Sequence, residues 1–248
     1  MSCPDLATRE HLDRALRGVG LSWQHLVAHA GELVLFGSRA CGCASARSDW
    51  DLLCIGDGTS RRTRSIDILW LSSDFVRSHA WKASELAGHI AAYGRWLHGQ
   101  PSWQAELRSD MTEASQAKTA RIARRMHALE RAWNQLSAPY RQKHWVRLRR
   151  DLQRHALIME GQAVPPSAWL DAAWSRTAEP REDGARLYRN TGLHSAFLDV
   201  LLDELYPVQA RSPGWLEEAR RRDAELDADP SRGRPAEDAF RDARARLG

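Results

Sequence analysis

The stretch Leu33-Val34-Leu35-Phe36-Gly37-Ser38-Arg39-Ala40-Cys41-Gly42, then Ser48-Asp49-Trp50-Asp51-Leu52-Leu53, then Ile66-Asp67-Ile68-Leu69, decides how this chain is read. Short apolar runs bounded by turn residues read as buried strands. Glu32–Phe36 is one such run, and it ends in the tight turn Gly37-Ser38. Asp49–Ile55 is a second strand, closed by Gly56-Asp57-Gly58, and Ser65–Leu71 is a third. The arginine-rich link at 59–64 is short enough to make the last two antiparallel neighbours.

Three aspartates interrupt these apolar runs. Asp49 and Asp51 lie two apart in a strand, so they point to one face, with Cα atoms about 6.5–7 Å apart. Asp67 sits inside the third strand; if that strand is a neighbour, about 4.8 Å away, the carboxylates converge. Two such charges about 4 Å apart repel by roughly 4 kcal/mol at an effective dielectric near 20. Either one takes up a proton or a divalent cation neutralises the set. Hard oxygen ligands of this kind suit Mg²⁺, with Mn²⁺ as a substitute. Such ions in pairs clamp in-line phosphoryl chemistry. Gly37 lets backbone approach a phosphate, and turn N–H groups with the Ser38 hydroxyl can hold its oxygens. Arg39 adds positive charge beside them.

Outward from this stretch, residues 5–30 read as one or two helices through Leu6, Leu12, Ala15 and Leu16, broken at Gly18 and Gly20. Glu85–Leu97 has helical periodicity through Leu86, Ile90, Tyr93 and Leu97. Two long helices are predicted over 112–137 and 139–160, a further one opening at Pro165-Pro166, and another over 182–205. The expected fold class is α+β: a small mixed sheet with packed helices, followed by an all-helical C-terminal domain. The expected division is 1–105 for the sheet domain, 106–227 for a helical domain closing over it, and 228–248 for a loosely ordered tail poor in apolar residues.

At 248 residues the chain is long enough for a substantial core. No apolar run approaches the roughly 20 residues that span a bilayer. The segment Met1-Ser-Cys-Pro-Asp-Leu6 lacks a basic stretch followed by an apolar one, so a cytoplasmic address and no membrane partner are expected. Cys3, Cys41, Cys43 and Cys54 make no disulfide framework and no paired zinc spacing, and are expected to be reduced thiols. The net charge is +4, and arginine carries it almost alone, since Lys82, Lys118 and Lys143 are the only lysines. Guanidinium groups suit phosphates through their bidentate fork.

The order Gly37-Ser38, Gly42, Ser48-Asp49-x-Asp51 and a later strand carboxylate at Asp67 resembles the DNA polymerase β-type nucleotidyltransferase superfamily over about residues 30–72. That resemblance implies an Mg²⁺-dependent enzyme that moves a nucleoside monophosphate, AMP from ATP, onto an acceptor hydroxyl and releases pyrophosphate. It implies that Asp49 and Asp51 hold the metals, and that Asp67 binds the catalytic metal and helps activate the acceptor. Gly37 and Ser38 would hold the triphosphate. Trp50 departs from the aliphatic residue usual between the two aspartates. A small molecule is the first expectation for the acceptor. RNA or protein in a toxin–antitoxin or defence setting is an alternative, and a non-catalytic nucleotide-binding or antitoxin module is another.

Related enzymes bring a basic residue from the helical half to the triphosphate, which points to Lys118 or Lys143. Glu130 and Glu160 are candidates for a general base from that half. His89, Tyr93 and Trp96 fall at helical spacing and would line a pocket or pack as core. Arg150 and His155 match a short Arg-x4-His pattern seen in helical ribonuclease toxins, a match that chance readily supplies. A cationic antibiotic would be repelled by a basic protein, whereas a phosphate-bearing acceptor would be drawn in.

Overall fold

The structure is a computed structural model that describes residues 6–46, 48–107 and 112–206. The described residues up to Leu202 form one compact unit. The second unit begins at Asp203, and the tail expected at 228–248 lies outside the described residues.

Helices α1 (Leu6–Arg17) and α2 (Trp23–His29) lead into β1 (Ala30–Phe36). A single turn of helix, α3 (Gly37–Ala40), follows β1 directly, and β2 (Trp50–Gly56) runs back beside it. Then come β3 (Arg61–Arg62), β4 (Ile66–Leu71), the short helices α4 (Ser73–Arg77) and α5 (His79–Lys82), α6 (Glu85–Tyr93) and β5 (Arg95–His98). The helical half contains α7 (Thr112–Ala132), α8 (Ala138–Met159), α9 (Ser167–Trp174), α10 (Pro180–Arg189) and α11 (Phe197–Leu205). The class is α+β, as expected: a five-stranded mixed sheet in the order β3-β4-β2-β1-β5, with helices after it. Among the described residues, no helix is long and apolar enough to cross a membrane.

The central strands β1 and β2 are almost wholly apolar because both faces of the sheet are covered there. Leu33, Leu35, Leu52, Cys54, Ile66 and Ile68 face α1 and α2 and pack on Leu12, Leu16 and Leu26. Val34, Leu53 and Ile55 point the other way, onto Val76, Trp81, Ala87, Ile90 and Trp103. Strand alternation assigns Asp51 and Asp67 to this second face, in step with Leu53 and Leu69.

Four expectations are corrected. β2 and β4 are parallel, not antiparallel. The arginine link is not a plain connector: Arg61–Arg62 form an outer strand that hairpins into β4 through Thr63-Arg64-Ser65. Thr63 braces that turn, its hydroxyl accepting from Ile66 N at 3.2 Å. The chain therefore enters β4 in the same direction as β2. The helix expected over Glu85–Leu97 stops at Tyr93, and Trp96 and Leu97 belong to edge strand β5. Gly94 marks the break, where an added Cβ would stand 2.4 Å from the Ile90 carbonyl oxygen. Likewise, the helix expected over 182–205 is two helices, α10 and α11, separated at Asn190-Thr191-Gly192.

Glu32 anchors the fifth strand. It is buried on β1, and it accepts from Trp96 Nε1 at 2.9 Å and from the Ser102 N–H at 3.2 Å, with the Ser102 hydroxyl on the same oxygen. Removing the carboxylate strands these donors. Glu32→Ala is expected to cost about 2 kcal/mol or more in a urea titration, and Trp96 fluorescence should report loosening of β5.

Candidate active site

β1 ends where β2 and β4 begin, and this sets the site. Phe36 is the register partner of Asp51, and Asp51 is the register partner of Asp67. Parallel register places the Asp51 and Asp67 side chains side by side on the α6 face. Asp49 precedes β2 and adds its charge to the same patch. Burial, with the Asp49 and Asp67 carboxylates beside it, pushes the Asp51 carboxyl from 3.8 up to about 6, and Arg62 and Arg39 only partly oppose this. Asp67 is also held by Arg62, whose Nε is 3.2 Å from Oδ2. That arginine is largely exposed, so the pair is weak and readily exchanged.

Gly37 starts α3 with φ +69°, and a Cβ there would stand 2.2 Å from Asp51 Oδ2. The turn thus brings backbone against the carboxylate, which only glycine permits. Gly37, Ser38 and Asp51 line one side of a cavity of about 720 Å³. Arg39 takes a different role from the expected phosphate contact. Its Nε donates to the Asp49 carbonyl at 3.0 Å and its Nη2 to the Ser48 carbonyl at 2.6 Å, while its guanidinium lies 4.4 Å from the Trp50 ring. Arg39 therefore fixes the approach of Asp49 to the sheet. Trp50, the unusual residue between the aspartates, supplies the surface that Arg39 stacks on.

The opposite wall comes from α6, α7, α8 and the Val164–Ala168 segment. Lys118 is buried there, with Nζ 2.6 Å from Glu85 Oε2 and 3.5 Å from Asp151 Oδ1. These contacts are ionic, because Nζ makes no hydrogen bond of good geometry. Lys118 is thus held in the cavity wall by two carboxylates. Arg125 donates to Asp151 Oδ2 at 2.6 Å, and Arg154 lies 3.7 Å from Glu85 and 3.8 Å from Asp151. Three cations surround two carboxylates here, and Arg121 and Glu113, which also line the cavity, offset each other, so the wall is positive by a single charge. His89 also lines the cavity, with Nδ1 2.7 Å from the Val164 carbonyl. A carbonyl only accepts, so Nδ1 carries the proton and Nε2 keeps its lone pair. Burial lowers the His89 pKa and favours this neutral ring.

The structure thus brings Gly37, Ser38, Asp51 and Lys118 to one cavity, with Asp67 beside Asp51 in register and Asp49 acting on Asp51 through its charge, while neither of these two aspartates lines the cavity. It does not bring Lys143, which is exposed on α8 with Nζ 6.0 Å from the Tyr140 ring and does not line the cavity. Glu130 and Glu160 are exposed and also lie outside the lining. Arg150 is spent on Asp171, Nε to Oδ1 at 2.9 Å, and His155 is buried with Nε2 3.3 Å from Ser115 Oγ. The pair forms no shared exposed site. Trp96 lies on β5 against Glu32, while Tyr93 packs between His89 and Trp169. Glu85, Arg121 and Arg154 escaped the sequence reading. The serine before Glu85 was the available signal: Ser84 caps α6 by accepting from Ala87 N, which fixes Glu85 in the first turn.

Among the described residues, no three His, Cys, Asp or Glu side chains come close enough together to form one metal cage. A magnesium ion does not require one, since it commonly takes one or two carboxylates and completes its shell with water and substrate phosphate. The donor set fits that mode: Asp51 is hard to ionise beside two like charges, and a cation would relieve it.

No protein-family model matches the chain, and no curated protein matches its sequence. Among solved structures, a nucleotidyltransferase-like protein from Exiguobacterium sibiricum 255-15 is similar at 15% identity, covering 85% of this chain and 80% of that one, with a TM-score of 0.35. A toxin–antitoxin structure with AMP-PNP is similar at 14% identity over 50% of this chain and 98% of that one, with a TM-score of 0.24. Likeness this distant leaves function to be read from the cleft.

The raised Asp51 carboxyl has a consequence for stability. The folded state keeps a proton at pH values where the unfolded chain has lost it, so ionisation removes stability as pH rises from about 4 to about 6. Without divalent metal at pH 7, Asp51→Asn is expected to be more stable than the parent by about 1–2 kcal/mol, allowing for solvent screening. The gain should vanish near pH 4. Adding Mg²⁺ should raise the parent's Tm and leave that of Asp51→Asn unchanged; equal responses would remove Asp51 as a cation ligand.

Proposed function

We propose that the chain is a nucleotidyltransferase that uses Mg²⁺ to move a nucleoside monophosphate, AMP from ATP, onto a hydroxyl. The observation that carries this reading is the register pairing of Asp51 with Asp67, beside Asp49, with Asp51 and the buried Lys118 lining one cavity. Carboxylates alone would repel a triphosphate and a basic wall alone would simply bind one. The two together suit a reaction in which a phosphorus centre passes between a neutralised acidic edge and a cationic clamp.

In this reading Gly37 and Ser38 hold phosphate oxygens at the turn, and Lys118 meets the triphosphate from the far wall. Asp51 would hold Mg²⁺ together with Asp49 or Asp67, and water and substrate phosphate would complete its shell. When bound, Mg²⁺ supplies charge neutralisation at the phosphates. The acceptor oxygen forms a bond to the α-phosphorus in line with the departing pyrophosphate, whose P–O bond breaks. Asp67 helps take the hydroxyl proton. Arg39 acts only by fixing Asp49. In the same reading His89, neutral and lining the cavity, receives a hydrogen bond at Nε2 from an amino group of the nucleotide base.

The test is pyrophosphate release from each labelled NTP with Mg²⁺, with and without cell extract. Release is expected, and Asp49→Ala and Asp51→Asn should each cut it by about 10²–10³-fold or more while remaining folded. A nucleotide-binding module without turnover would bind NTP and release no pyrophosphate with any acceptor, and that result would retire the enzyme reading.

A further inference from the structure

A second cavity, of about 530 Å³, opens between α7 and α8. Arg121, Arg124 and Arg125 approach it from α7, and His144 and Arg147 from α8. Among the described residues, no Asp or Glu lines it. Its floor is apolar, with Leu129 and Leu136. Arg121, Arg124 and Arg147 are exposed, and no acidic partner meets them among the described residues. Arg125 alone is engaged, through Asp151.

This arrangement is unfavourable by itself. Arg121 stands three and four residues from Arg124 and Arg125, where like charges on a helix destabilise it. Burial, and then the positive charge of Arg147, Arg125 and Lys143, lowers the His144 pKa, so the histidine adds a neutral donor and acceptor and not a further charge. An anion with regularly spaced charges would relieve the repulsion. Arg121 lines both this groove and the proposed active cleft, so the two cavities share a wall.

We infer that the α7–α8 groove holds the phosphate backbone of a single-stranded nucleic acid whose terminal hydroxyl enters the cleft as the acceptor. The second half of this statement rests on the transfer reading above; the first half does not. Arginines at the rim suit successive phosphates, and an apolar floor suits sugar or base faces. A small acceptor would leave this groove without a use, and a polycationic one would be repelled by it.

The test uses the full chain and a short 5′-fluorescein oligouridylate, followed by anisotropy without NTP across a salt series. Tight binding at low salt is expected. Arg124→Gln/Arg147→Gln should weaken it at least tenfold and lower the salt slope by roughly 1.4, at about 0.7 per single-strand phosphate contact. Far-UV circular dichroism and Tm should match the parent, since both side chains are exposed. Asp51→Asn should bind the strand as the parent does. Binding unchanged in the double variant, or displacement by oligoglutamate as readily as by unlabelled strand, overturns the groove assignment. With labelled ATP and Mg²⁺, label should pass to the strand in the parent and not in Asp51→Asn. Strand binding without pyrophosphate release from any NTP would defeat the transfer reading alone. Release with small hydroxyl compounds and no strand binding would defeat the groove alone.

Discussion

The structure depends on an unfavourable interaction: carboxylates held side by side at the end of a sheet. Asp51 and Asp67 are register partners in parallel strands, so neither turns away without breaking the pairing of β2 with β4. Gly37 closes the space from the third side, because backbone occupies the volume where a side chain would sit. Asp51 is therefore costly to ionise. Folds rarely keep such a cluster unless function uses it.

The surrounding elements hold that cluster in place. The β3–β4 hairpin turns the chain so that Asp67 arrives parallel to Asp51. Arg39, stacked on Trp50, fixes the carbonyls of Ser48 and Asp49. Across the cavity, Glu85 and Asp151 hold Lys118 inside the protein, where an unpaired ammonium would be expelled or neutralised. Asp151 also receives Arg125 from the α7–α8 groove, so one buried carboxylate touches both basic surfaces.

The acidic half of the site was legible in the sequence for a physical reason. Polar residues at odd positions of an apolar run must face together, and Asp49 and Asp51 share that parity with Leu53. Lys118 also stood out, as a lysine in a chain that otherwise uses arginine. The strand pairing was less legible. Arg61 and Arg62 read as a solvated link, because a two-residue edge strand has no apolar pattern of its own. β5 was hidden because Trp96 and Leu97 continue the spacing of α6, and only Gly94 signals the change. Glu85, Arg154 and the groove arginines come together by helix packing, which no local pattern encodes.

The central claim is that the clustered aspartates bind a divalent cation together with a nucleotide. Electron paramagnetic resonance of Mn²⁺, titrated in the presence of a non-hydrolysable ATP analogue, measures this directly. The account requires protein-bound Mn²⁺ in the parent that is lost in Asp51→Asn and sharply weakened in Asp67→Asn. Equal Mn²⁺ binding by all three proteins, or none by the parent, would contradict it.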